Sequence, residues 1–155
     1  MGIFTTESTE VTEKKTEEEG RGVGSGKEPS REELNRLTEA IIGGAIEVHR
    51  ALGPGLLESA YEACLAHELA MRGLEIERQR ALPVSYRGIQ VDCGYRLDLV
   101  VAGLAVVELK AVDQLAPIHS AQLLSYLKLS RLPVGLLINF HVPILVQGVK
   151  RLLNT

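Results

Sequence analysis

Apolar residues recur every three or four positions from Leu34 onward, as Leu34, Leu37, Ile41, Ala45, Val48 and Leu52, with Arg36, Glu39, Gly43, Glu47 and Arg50 largely opposite. That spacing predicts one apolar face of a helix. Ser30-Arg31-Glu32-Glu33 precedes it as a capping box, in which Ser30 caps the Glu33 amide and Glu33 reaches back. Gly53-Pro54-Gly55 ends this helix, and a second is predicted from Leu56 to Arg72, stopped by Gly73. From Leu74 the period changes to two. Ile76–Tyr86 reads as one long or kinked strand, Pro83 favouring an edge or a bulge, with a turn at Arg87-Gly88. Two further strands are predicted over Gly94–Val101 and Leu104–Ala111. Pro117 then suits a helix start, with Ile118–Ser130 as the helix. Val134–Phe140 is a near-continuous apolar run, as expected of a strand covered on both faces, and Leu145–Leu152 reads as a last strand or strand-like return. The order predicts an α/β or α+β layered domain over residues 31–155, about 125 residues, enough for one core.

Residues 1–30 lack this patterning. They are rich in Thr, Glu, Gly and Ser, and cannot bury enough apolar surface to offset the entropy of ordering, so a disordered tail is expected. Of the 20 acidic and 17 basic side chains, seven and four lie in this tail; residues 31–155 hold 13 of each, so the net −3 belongs to the tail. A neutral domain argues against a protein that coats DNA without specificity, and any nucleic-acid contact must be local. Aromatics make up 4% and Trp is absent, which argues against a base-stacking platform. No apolar run approaches the ~20 residues that span a bilayer. The start has neither a basic nor an apolar signal region, and its Met-Gly-x-x-x-Thr match to a myristoylation pattern is read as chance. Cys64 and Cys93 form no CxxC, zinc pattern or disulfide framework, so a reduced, cytoplasmic compartment is the expectation and Cys64 reads as buried filler.

The two central strands carry the chemistry. Their odd positions are Tyr95, Leu97, Leu99 and Val101, then Ala105, Val107, Leu109 and Ala111, all mainly apolar. Placing every odd residue on the core face requires paired residue numbers to have an even sum, because a one-residue slip inverts the faces. A two-residue turn is thereby excluded, and a three-residue loop, Val101-Ala102-Gly103, is expected, with Gly103 in the left-handed conformation. Asp98, Glu108 and Lys110 then share one face, with Asp98 and Glu108 direct or diagonal neighbours. Two such carboxylates repel unless one protonates, a cation joins them or Lys110 compensates. Hard oxygen ligands on rigid strands suit Mg²⁺, with the Leu109 carbonyl as a further ligand and Lys110 placed to orient or deprotonate an attacking water. The same residues also satisfy a surface salt bridge, Glu108–Lys110 or Arg96–Asp98, and spacing alone gives that reading at least equal standing.

Asp98, nine residues, then Glu108-Leu109-Lys110 resembles the D…(D/E)-x-K signature of the PD-(D/E)XK nuclease superfamily. Gly55-Leu56-Leu57-Glu58-Ser59-Ala60-Tyr61 resembles the motif that names the GxxExxY protein family within it, and Tyr95–Asp98, Val107–Ala111, Gln122 to Tyr126, Leu137–Phe140 and Gly148–Arg151 follow in order. The resemblance implies a central mixed β-sheet flanked by helices, a restriction-endonuclease-like αβββαβ core with an extra N-terminal helix. It implies Mg²⁺- or Mn²⁺-dependent cleavage of nucleic acid, DNA before RNA. Asp98 and Glu108 would hold the metal, Lys110 would serve the attacking water, and Glu58 would complete or extend the metal site. Gln122 and Tyr126 match a Q-x-x-x-Y element. Leu97 stands where the signature usually has Pro.

Without the resemblance, Glu58 is explained by charge compensation at a helix start, Gln122 and Tyr126 by a polar helix edge beside His119, and His49 by packing. Three functions therefore follow: a metal-dependent nuclease, a non-catalytic nucleic-acid- or protein-binding module keeping the nuclease fold, and a small accessory protein acting through a dimer interface.

Overall fold

The computed structural model describes residues 26–155; residues 1–25, most of the expected tail, lie outside the described residues. Helix α1 spans Arg31–Leu52, and its capping box is formed: the Glu33 amide donates to Ser30 Oγ at 3.1 Å and the Ser30 amide to Glu33 Oε2 at 2.7 Å. The apolar stripe Leu34, Leu37, Ile41, Ala45 and Val48 is buried as expected. Helix α2 is shorter than expected, Glu58–Met71. It packs closely on α1 at Gly44, where a Cβ would stand 2.8 Å from Leu69 Cδ2.

Between the helices, Gly53 (φ 70°) and Gly55 (φ 104°) make a sharp connection that Tyr61 ties down. The Tyr61 hydroxyl donates to the Gly53 carbonyl at 2.6 Å and accepts from the Leu56 amide at 3.1 Å, while its buried ring stacks on Phe140 at 4.3 Å. The motif tyrosine thus shapes the loop that its own glycine permits. Tyr61→Phe keeps the ring and loses both bonds, so a loss of about 1–2 kcal/mol is expected in thermal unfolding.

Five strands form one sheet in the order β1 (Ile76–Ala81), β4 (Arg96–Val101), β5 (Ala105–Lys110), β6 (Val134–Asn139), β7 (Val149–Leu153). Only β5 and β6 run parallel, linked through helix α3 (Pro117–Ser130). This is the expected mixed sheet flanked by helices: α2-β1-β4-β5-α3-β6 is an αβββαβ core, with α1 as the additional helix. No helix among the described residues is long and apolar enough to cross a membrane.

The expected parity holds across the central pair, where Leu99 faces Val107, Val100 faces Val106 and Val101 faces Ala105. The loop is displaced by one residue, to Ala102-Gly103-Leu104, and Ala102 (φ 55°) shares the left-handed conformation with Gly103 (φ 63°). Both faces are covered. Leu99, Val101, Ala105, Val107 and Leu109 pack with α1 and α2, whereas Val100 and Val106 pack with Leu123 and Leu127 of α3. The odd positions do not all share one face: Leu97 joins the α3 side, and Tyr95 precedes the strand and is exposed.

The segment expected as one strand over Ile76–Tyr86 is two. After β1 the chain leaves the sheet at buried Leu82 and Pro83, and β2 (Val84–Tyr86) pairs instead with β3 (Ile89–Val91), an element the periodicity did not predict. Arg87 (φ 44°) and Gly88 (φ 82°) form the two-residue turn of this hairpin, both left-handed as a type I′ turn requires. The expected last strand divides into a 3₁₀ turn, Leu145–Gly148, and β7. Cys64 is exposed rather than buried.

Candidate metal centre

The β4–β5 ladder pairs Leu99 with Val107, and the next opposed residues are Asp98 and Glu108. There the carboxylates replace backbone pairing. The Asp98 amide donates to Glu108 Oε1 at 3.0 Å, and the Leu109 amide donates to Asp98 Oδ2 at 2.9 Å. Each acid therefore binds the other's strand, and the two carboxyl groups face one another in the gap. Glu108 is 6% exposed because β5 is covered on both faces. Burial first, and the Asp98 charge second, push its carboxyl from the ordinary 4.5 up to about 8; the Lys110 ammonium opposes this without cancelling it. Neither salt bridge considered from spacing, Arg96–Asp98 or Glu108–Lys110, is among the ion pairs of the described residues.

A third carboxylate, which spacing did not single out, is linked to Asp98 through Gln79. Glu62 of α2 is 8% exposed and accepts from Arg78 Nη2 at 3.0 Å and from Gln79 Nε2. Gln79 Nε2 also donates to Asp98 Oδ1 at 3.3 Å. Gln79 does this from φ 52°, a left-handed conformation inside β1 that a non-glycine residue adopts only when its surroundings hold it there. Glu62 had a legible signal, an acid on the stripe of Leu65, Ala66 and Leu69; Gln79 had none.

Glu58, expected to complete the metal site, opens α2 one turn before Glu62; it is exposed and makes no hydrogen bond or ion pair among the described residues. No three His, Cys, Asp or Glu side chains gather into a metal-binding group among those residues, so Glu58 is not brought together with Asp98 and Glu108. Tyr126 is buried on α3, with its ring 6.0 Å from that of Tyr95, and its phenol is pushed upward by burial, then by the charges of Glu108, Tyr95 and Asp98. Gln122 lies one turn earlier, half-buried. His119 Nδ1 accepts from the Ala116 amide at 3.0 Å, and His49 Nε2 donates to the Val142 carbonyl at 2.8 Å, so both serve the fold. His141 pairs with Asp113 at 3.4 Å.

The donor set fits a hard divalent cation. It offers two carboxylates on adjacent strands and the Leu109 carbonyl, and a cation between them offsets both the burial and the Asp98 repulsion that lift Glu108. A family model described as the PD-(D/E)XK nuclease superfamily matches residues 35–152. No curated protein and no solved structure matches the chain.

Proposed function

The chain belongs to the PD-(D/E)XK nuclease superfamily, and from that premise we propose that it hydrolyses phosphodiester bonds of nucleic acid, DNA before RNA, with Mg²⁺ or Mn²⁺ at Asp98 and Glu108. The observation that carries the reading is the crossed pair of carboxylate–amide bonds, which holds two acids in one gap at the cost of Glu108's ordinary ionisation. The Gly55–Tyr61 motif and its hydroxyl-tied loop support placement in the GxxExxY subfamily, with residues 31–155 as the nuclease-like unit.

Asp98, Glu108 and the Leu109 carbonyl would hold the ion. A divalent cation there supplies Lewis acidity toward water and the phosphodiester. Lys110 Nζ orients the attacking water and steadies negative charge as it develops on the phosphate. The Tyr126 hydroxyl and the Gln122 amide, successive on one α3 face, donate to phosphate oxygens. Glu58, exposed at the start of α2, would extend the site through water and not as a direct ligand.

Ion binding must displace the Glu108 proton. Apparent Mg²⁺ affinity is therefore expected to rise with pH, approaching tenfold per unit below about 8, and to level off above it. Calorimetry at pH 7 in buffers of different ionisation enthalpy should read about one proton released per ion bound. The activity test is Mg²⁺-dependent cleavage of single- and double-stranded DNA and RNA by the pure chain and by Lys110→Ala. Loss of about 10²–10⁴-fold in the variant is the expected result. Cleavage undiminished in Lys110→Ala removes the lysine from the mechanism. Absence of cleavage by the unaltered chain on all four substrates favours the non-catalytic binding module.

A further inference from the structure

Six aromatic residues exist in the chain, and five are described. Tyr61, Tyr126 and Phe140 are buried; Tyr86 and Tyr95 are 56% and 45% exposed, and both belong to the segment that leaves the main sheet after Leu82 and returns at Arg96. The β2–β3 hairpin in this segment forms a sheet of its own, with Ile89 and Val91 also exposed. A two-stranded ribbon with apolar side chains turned to water gains little stability by itself.

Three further observations concern what would meet it. From Arg80 to Arg96 the segment carries three exposed arginines, Arg80, Arg87 and Arg96, against one acid, Asp92, a local excess within a domain whose 13 acids and 13 bases cancel as a whole. The Arg87 guanidinium lies 5.5 Å over the Tyr86 ring, so an aromatic face and a cation are presented together at the hairpin tip. Arg87 also holds a left-handed position where Asn, Asp or Gly is the ordinary choice, so the turn alone does not account for it. At the other end of the arm the Tyr95 ring is 6.0 Å from that of Tyr126, Leu82 is buried with Tyr126, and the chain re-enters β4 at Arg96, two residues before Asp98.

We propose that the Leu82–Tyr95 arm binds single-stranded nucleic acid flanking the bond presented to Asp98 and Glu108, with bases stacked on Tyr86 and Tyr95 and phosphates met by Arg87 and Arg96. The inference rests on the nucleic-acid substrate proposed above and names its strandedness. Stacking requires a base face that a duplex keeps covered, whereas arginines alone would accept either form.

The test uses the full chain in EDTA, where no cleavage occurs, and fluorescence anisotropy with labelled single- and double-stranded DNA of about 16 nucleotides. The unaltered chain is expected to prefer the single strand. Tyr86→Ala should weaken single-strand binding about tenfold, Tyr95→Ala by a similar factor, and Tyr86→Phe should retain it. Arg87→Ala should lower the slope of log affinity against log salt by about 0.7. Equal single-strand binding by Tyr86→Ala and the unaltered chain, a preference for duplex, or no binding of either form overturns the arm. Cleavage with unchanged binding in the tyrosine variants removes the arm and leaves the nuclease reading intact. Tyrosine-dependent binding by a chain that cleaves nothing with Mg²⁺ supports the arm and removes the hydrolytic reading.

Discussion

Glu108→Gln is expected to abolish Mg²⁺-dependent cleavage and to make the metal-free chain more stable at alkaline pH. The loss of activity should reach about 10³-fold or more, because a cation's stabilisation of the transition state amounts to several kcal/mol and each ~1.4 kcal/mol is tenfold in rate. The gain in stability follows from the burial that raises Glu108. The carboxyl titrates at about 8 in the folded chain and near 4.5 when unfolded. Between those values the folded chain holds a proton that the unfolded chain has released, so this group's contribution to stability falls as pH rises, and the full penalty is present above about 8. Glutamine keeps the shape, can still accept from the Asp98 amide, and carries no charge to desolvate. Urea denaturation at pH 5 and pH 9 in EDTA should give similar midpoints at the lower pH and a higher midpoint for the variant at the upper one. Added Mg²⁺ should reverse the order at pH 9, stabilising only the unaltered chain. Equal midpoints at pH 9 in EDTA would mean that Glu108 is not held buried against Asp98 in the folded chain.

Gly148→Ala should be the more damaging change to the fold. Gly148 ends the 3₁₀ turn that leads into β7, and a Cβ there would stand 2.3 Å from the Asn139 carbonyl oxygen and 3.1 Å from Val142 Cγ2. The nearer obstacle is backbone, so a rotamer change cannot relieve it. Asn139 is itself held: its side chain bonds the Val112 amide and carbonyl at 3.1 and 2.8 Å, and it pairs with Lys110 across β5 and β6. A cost of about 3 kcal/mol is expected, near the upper end for overpacking, or roughly 10 °C in Tm. Shifted Asn139 would also shift Lys110, so cleavage by the residual folded fraction should fall as well. A Tm within about 2 °C of the unaltered chain would contradict this packing.

What could be read from the residues differs by element, for physical reasons. That Asp98 and Glu108 share one face, as direct or diagonal neighbours, follows from parity, which groups Leu99, Val101, Ala105, Val107 and Leu109 on the other. The loop between them was misplaced by a residue because Ala102 takes a left-handed φ that its type does not announce. Leu97 escapes the parity beside Gln79, whose φ of 52° interrupts β1 directly across from Asp98. Pro83 marked a disturbance, but a proline cannot tell a bulge from a departure to another sheet, so β2 and β3 were not separated from β1. Glu62 could have been found as an acid on a buried stripe. Gln79 could not, since its reach to Glu62 and Asp98 depends on a backbone angle and on two partners distant in the chain. Low aromatic content argues against a stacking platform as a total; the sheet departure at Leu82 puts both exposed rings on one short segment.

The twist at Gln79 has one more effect, because β1 is the outermost member of its sheet. An unbroken border would offer a stranger's backbone a continuous row of unsatisfied donors and acceptors, the usual route to fibrils. The left-handed residue breaks that row midway, and the flanking charges Glu77, Arg78 and Arg80 discourage what remains. The distortion that brings an amide to the acidic pair therefore also guards this flank against self-association.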